Sequence, residues 1–197
     1  CGQDRPRAHP PGSPCGPGFL SRRRFRKPPD RVIRTRQSAG MTYAIQALPL
    51  APFAPLFALS DAALTALGAR RMIADSPHSA PCRVSLVDAD PGDRLILTHH
   101  LHLDAPASPY RAGGPVFVRE TAVETAPVIG AVPDLLGRRQ LSARVYDADG
   151  MMTDADVVEG KDLDARLRLW LADPVVAQVQ LHTARRGCYL ARAVRTD

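Results

Sequence analysis

Lysine is almost missing from this 197-residue chain: only Lys27 and Lys161 stand beside 24 arginines. Arginine in place of lysine, with abundant Ala, Pro and Gly, points to the codon bias of a GC-rich bacterial genome rather than to a nucleic-acid surface. No CxxC pair occurs among the four cysteines, which excludes a zinc ribbon or a thioredoxin-type motif. No GxxxxGK[ST] run occurs, which excludes a P-loop. No stretch of about 18 uninterrupted apolar residues exists, so no membrane-spanning helix and no membrane partner are expected. There is no internal repeat.

What is present changes character at Met41. Residues 1–40 hold ten of the 26 basic residues, two of the 20 acids and seven of the 19 prolines, a net charge of +8. Residues 41–197 carry 16 basic and 18 acidic residues, a net charge of −2. The pI near 9.6 therefore belongs to the first segment. Ser21-Arg22-Arg23-Arg24-Phe25-Arg26-Lys27 looks like a twin-arginine export signal. Such a signal needs an apolar stretch directly after it, and Pro28-Pro29-Asp30-Arg31 follows instead. A basic arm gripping nucleic acid is a second reading, with only Phe19 and Phe25 to stack on bases. The favoured expectation is upstream sequence, without order, ahead of a natural start at Met41.

Residues 41–197 are long enough to bury a core without disulfides or a structural metal. Cys82 and Cys188, isolated in this body, fit a reducing compartment and a cytoplasmic location. Tyr43, Ile45 and Ala47 alternate as in a strand. Phe53–Leu59 reads as a short helix after Pro52, and Ser60 caps a second one that ends at Gly68. Arg70–Ala74, Cys82–Val87 and Val116–Arg119 are short candidate strands, and Val132–Arg139 can hold one helical turn. Leu95–Leu103 is the clearest strand, with His100 and His102 on one face. Gly113-Gly114-Pro115 signals a turn or a close approach. Asp149-Gly150 joins two strands as a hairpin with positive φ at both residues. Lys161–Ala172 is an amphipathic helix with Leu163, Leu167, Trp170 and Leu171 inward, supported by Asp162/Arg166 and Asp164/Arg168 pairs.

Val175–His182 and Cys188–Arg195 form the last hairpin. A three-residue loop with Gly187 left-handed sets Ala184 opposite Cys188 and His182 opposite Leu190. That register puts Tyr189, Ala191 and Ala193 on the core face and His182 with Cys188 on the other. A slip of one residue would part His182 from Cys188.

Four runs then line up: Pro81-Cys82-Arg83-Val84-Ser85-Leu86, Pro109 through Glu120, Tyr146 through Met152, and His182-Thr183-Ala184-Arg185-Arg186-Gly187-Cys188-Tyr189. In this order they resemble the bacterial "domain of unknown function" family numbered 1203, over about Met41 to Arg195. The resemblance implies a body-length protein, which agrees with a start at Met41. It carries over no activity, cofactor or catalytic residue.

Chemistry must therefore be read from side chains. His182 and Cys188 form a candidate base and nucleophile, with Arg185, Arg186 and Arg192 near the thiol in sequence. The run His99-His100-Leu101-His102 invites a metal reading, with His100 and His102 on one face joined by His182 and by Asp104 or Cys188; a polar sheet face is the competing outcome. Asp147-Ala148-Asp149-Gly150 departs from the calcium-loop spacing and is read as a turn. Tyr110, Arg111, Arg144 and Arg185 are the binding candidates for a carboxylate or phosphate. Pairing of these arginines with surface acids is the competing outcome.

The expected fold is α+β: one domain over residues 41–197, with a largely antiparallel sheet of seven or eight strands and two or three helices. The expected function is binding of a small anionic molecule, with turnover left open. Tyr110, Arg111, Arg144 and Arg185 would bind it; His102, His182 and Cys188 would be the catalytic candidates. No cofactor and no metal are assigned. The alternative is a non-enzymatic interaction module with an exposed apolar patch. Nucleic-acid binding through the arm ranks below both.

Overall fold

The computed structural model describes residues 41–196. The export, nucleic-acid and start-site readings of residues 1–40 lie outside the described residues. The described strands are β1 Tyr43–Gln46, β2 Arg70–Ile73, β3 Arg94–Leu103, β4 Ala112–Arg119, β5 Val128–Ile129, β6 Gln140–Tyr146, β7 Met152–Glu159, β8 Gln178–Thr183 and β9 Tyr189–Arg195. The helices are α1 Ala54–Phe57, α2 Asp61–Ala66, α3 Asp134–Gly137 and α4 Leu163–Leu171. The fold is α+β with antiparallel strands, as expected. The nine described strands divide into two sheets, one of six in the order β5-β1-β9-β8-β6-β7 and one of three in the order β2-β3-β4. None of the described helices is long and apolar enough to cross a membrane.

Period-two alternation decides which face of the large sheet meets which layer. Tyr43, Ile45, Leu141, Ala143, Val145, Val179 and Leu181 point to α4 and pack with Leu163, Leu167, Trp170 and Leu171. Two of those contacts carry polar anchors. The Tyr43 hydroxyl donates to Asp164 at 2.7 Å, and Arg168 pairs with the same carboxylate at 3.0 Å. Of the two expected helix pairs this one forms; Arg166 instead pairs with Asp156 and lies over the Trp170 ring.

The opposite face of the large sheet is polar in sequence yet covered. Gln180 and His182 are fully buried there, against His102 of β3. Tyr189 of β9 packs on that side with Cys82, Val84, Val116 and Val118. The small sheet and its loops thus enclose polar side chains that a solvated face would leave wet.

Four local expectations are corrected. Cys82–Val87 is a turn, not a strand: Cys82 N–H donates to the Val87 carbonyl at 2.9 Å and Leu86 N–H to the Cys82 carbonyl at 3.1 Å. The turn closes on itself through these two bonds, with Leu86 at φ 51°, while Arg83 N–H donates to the Phe117 carbonyl and the Arg83 and Val84 carbonyls accept from Leu48 and Thr125 N–H. Of the two readings of Gly113-Gly114-Pro115 the turn fails, because the run lies inside β4, and the close approach holds, since a Cβ on Gly113 would stand 2.6 Å from the His99 ring. At the β6–β7 turn only Gly150 has positive φ. There the Asp147 carboxylate accepts from the N–H groups of Asp149 and Met151 and shapes a longer loop.

The fourth correction is at the β8–β9 tip. Gly187 is left-handed, φ 69°, as expected. Yet Gly187 N–H donates to the Thr183 carbonyl, Thr183 N–H donates to the Cys188 carbonyl, and His182 pairs with Tyr189. The loop holds four residues, and Leu190 is the extra residue of a bulge. Farther along, Gln180 opposes Arg192 and Leu181 opposes Ala191. The expected register therefore holds in the strand body and slips by one at the tip. The slip moves Tyr189 to the side of His182 and turns Cys188 toward Thr183, whose hydroxyl accepts the Cys188 N–H at 3.2 Å.

Candidate functional site

The expected site residues fall into two groups. The first lies between the sheets. His182 is 0 % exposed, and its Nδ1 is 3.0 Å from the Gly187 carbonyl. A carbonyl only accepts, so Nδ1 carries the proton and Nε2 presents a lone pair. Nε2 has no partner among the described residues. His102 and Gln180 bind each other twice: His102 Nδ1 to Gln180 Oε1 at 2.9 Å, and Gln180 Nε2 to the His102 carbonyl at 2.9 Å. The imidazoles meet edge to face with centroids 5.1 Å apart, and Tyr189 stacks on His102 at 4.9 Å.

Both imidazoles are held neutral. Burial pushes the His182 pKa down to about 3, assisted by the nearby Arg144 charge. His102 is lowered by burial, with Arg144, His100 and His99 adding to the shift. Arg144 also stands beside Tyr146, whose ring meets Tyr110 edge-on at 6.4 Å. Tyr110, Arg144, His102 and His182 thus occupy one region. Arg111 does not join them, because it pairs with Asp104 in an exposed bridge at 3.0 Å. The histidines do not gather for a metal: His100 packs on Phe53 and His99 lies over Gly113. Among the described residues no three His, Cys, Asp or Glu side chains are placed to hold an ion. The cleft of about 380 Å³ beside His102 carries Asp104 and Asp147 against Arg192 alone, so its charge does not favour an anion.

The second group lines a cleft of about 560 Å³ at the β8–β9 tip. Arg185, Arg186, Thr183 and Cys188 come from the tip, Arg83 from the Cys82–Val87 turn and Arg139 from the end of α3. Met72, Ile73, Leu95 and Phe117 form an apolar wall. His182 and Cys188 are not hydrogen-bonded: the thiol's contact is the Arg186 carbonyl at 3.9 Å. The expected dyad is thus divided between the two groups, for the register reason given above.

Arg83 is the residue that reading the sequence missed. It is 3 % exposed. Its Nε donates to the Tyr189 carbonyl at 2.8 Å and its Nη1 to the Pro81 carbonyl at 2.5 Å. Its guanidinium carbon lies 5.8 Å from the centre of the Phe117 ring. Among the described residues Nη2 has no partner. Among those residues, too, Arg83, Arg144, Arg185 and Arg186 form no ion pair with a carboxylate. Arg139 does, holding Asp88 at 2.5 Å. Burial lowers the Arg83 pKa to about 10, which still leaves it charged near neutral pH. The available signal was an arginine set between Cys82 and Val84 in an otherwise apolar run.

Apart from Met72 and Ile73 of the apolar wall, the residues named in both groups lie inside the span that relates this chain to others. The family described as Protein of unknown function (DUF1203) matches residues 79–195, and the chain belongs to that family. No curated protein and no solved structure matches the chain.

Proposed function

We propose that this protein binds a small amphipathic anion, a carboxylate or phosphate on a compact apolar group, in the cleft around Arg83. The supporting observation is Arg83 itself: a buried guanidinium with no carboxylate partner among the described residues, lining a cleft. Burying a charge without a counter-ion is unfavourable by several kcal/mol. A bound anion offsets that penalty and takes up the free Nη2 in a charge-assisted hydrogen bond. Arg185 and Arg186 add positive field at the mouth, while Met72, Ile73 and Phe117 offer a surface for an apolar body. A volume of about 560 Å³ suits a small molecule. Cys82 and Cys188 are both thiols, which supports a reducing compartment and, with the arginine bias, a bacterial cytoplasm as the setting.

Calorimetric titration with phenyl phosphate, against phenol as the uncharged comparator, tests the proposal. Phenyl phosphate binds and phenol does not. Arg83→Met weakens binding by about 1.5–3 kcal/mol, the range for a hydrogen bond to a charged group. Equal affinities for the two probes would sink the proposal.

A further inference from the structure

The register slip at the β8–β9 tip does more than part Cys188 from His182. It delivers the thiol to the wall that carries Arg83, Arg185 and Arg186. Cys188 is half-buried and is not in a disulfide. Its backbone is pinned by the Thr183 hydroxyl. Its sulfur has only the weak 3.9 Å contact to the Arg186 carbonyl. Cys82, the other described thiol, is the opposite case: 0 % exposed, it accepts the Arg119 N–H at 3.4 Å. Cys188, Cys82 and Asp88 all lie near enough to Arg83 to favour its charged form, and of the three Cys188 lines the cleft with it. Thiol and buried guanidinium therefore share one cleft, and an anion on Arg83 brings the rest of its molecule to the thiol.

We infer that Cys188 is the reactive group of this cleft, a nucleophile toward small carboxylate- or phosphate-bearing electrophiles held on Arg83. The inference rests on the anion-binding reading. In the step, a sulfur lone pair forms a bond to the electrophilic carbon. That carbon's leaving group departs with its bonding pair, and the thiol proton passes to water. His182 takes no part, since it is neutral, buried and on the other side of the hairpin.

Iodoacetate and iodoacetamide present one electrophilic carbon with and without a carboxylate. The full chain is treated with each, and alkylation is followed on the Cys188 peptide by mass spectrometry. The iodoacetate-to-iodoacetamide rate ratio at Cys188 exceeds that of N-acetylcysteine in the same buffer by about tenfold or more, as a focused positive field requires. Phenyl phosphate slows the iodoacetate reaction. The Arg185→Ser, Arg186→Ser double variant, altered only at exposed positions, folds normally and lowers the ratio severalfold. A ratio equal to that of N-acetylcysteine, or no alkylation at Cys188, overturns the inference. Titration of Cys188→Ser with phenyl phosphate separates the two readings. Binding without any labelling preference removes the thiol role and keeps the anion site; absence of both removes the two together.

Discussion

The inter-sheet cluster and the arginine cleft each bury a group that ordinarily carries charge, and they handle it in opposite ways. Between the sheets, His182 and His102 are kept neutral, and Gln180 and the Gly187 carbonyl occupy their Nδ1 positions. In the cleft, Arg83 stays charged, because a guanidinium gives up its proton only at high pH, and it keeps Nη2 without a partner. One region has turned its donors toward internal acceptors and leaves an acceptor, His182 Nε2, without a partner among the described residues. The other leaves donors facing a cavity. Buried polarity by itself does not mark a ligand site; a donor left over after the internal bonds are counted does.

The comparison can be broken most forcefully with acid. The folded His182 pKa, about 3, lies below its ordinary value of 6.5. The unfolded chain therefore takes up this proton first as pH falls, so stability is full above pH 6.5 and declines below it. The slope from this one residue is about 1.4 kcal/mol per pH unit until the folded pKa is reached. Urea unfolding at pH 7, 5 and 4 measures it, and His182→Gln flattens the dependence. An unchanged slope in that variant would show the cluster is not the acid-sensitive element.

Next in size is Gln180→Leu, which strands the His102 carbonyl and Nδ1 between the sheets. Leaving buried groups unsatisfied should lower stability by about 1–3 kcal/mol in urea unfolding. Phenyl phosphate affinity per folded molecule stays as it was, because the cleft does not include Gln180. A parallel loss of affinity would mean the two regions act as one. The smallest expected effect is that of Arg185→Ser with Arg186→Ser. Stability shifts by less than about 0.5 kcal/mol, as for exposed positions generally. Phenyl phosphate affinity falls a few-fold and loses part of its salt dependence. No change in that dependence would remove the mouth arginines from the site.

Much of the architecture was legible because it follows from periodicity. Leu163, Leu167, Trp170 and Leu171 recur at helical spacing and do line the core; Val179 and Leu181 alternate with Gln180 and His182 and do face opposite layers. The Ser60 cap and the left-handed Gly187 follow from residue chemistry. The site was less legible for two reasons. Alternation says that Gln180 and His182 leave the α4 face, but not that a second sheet covers them. A bulge at Leu190 has no signature in the run Tyr189-Leu190-Ala191, so Cys188 was set beside His182. Arg83 was hidden differently: its importance lies in two carbonyls, those of Pro81 and Tyr189, and only the fold brings Tyr189 to it.

The Leu190 bulge works as a parity device. The four-residue loop inverts the in-out sense of the hairpin tip, and one extra residue inverts it back before Ala191. Only Cys188 and Tyr189 sit within the inverted stretch. Changing the loop by a single residue, with the bulge lost to match, would exchange which of the two faces His182 and leave Ala191 and Ala193 in the core. The tip is thus a place where the chemistry lining the arginine cleft can be swapped by length alone, with the strands beneath it left as they are.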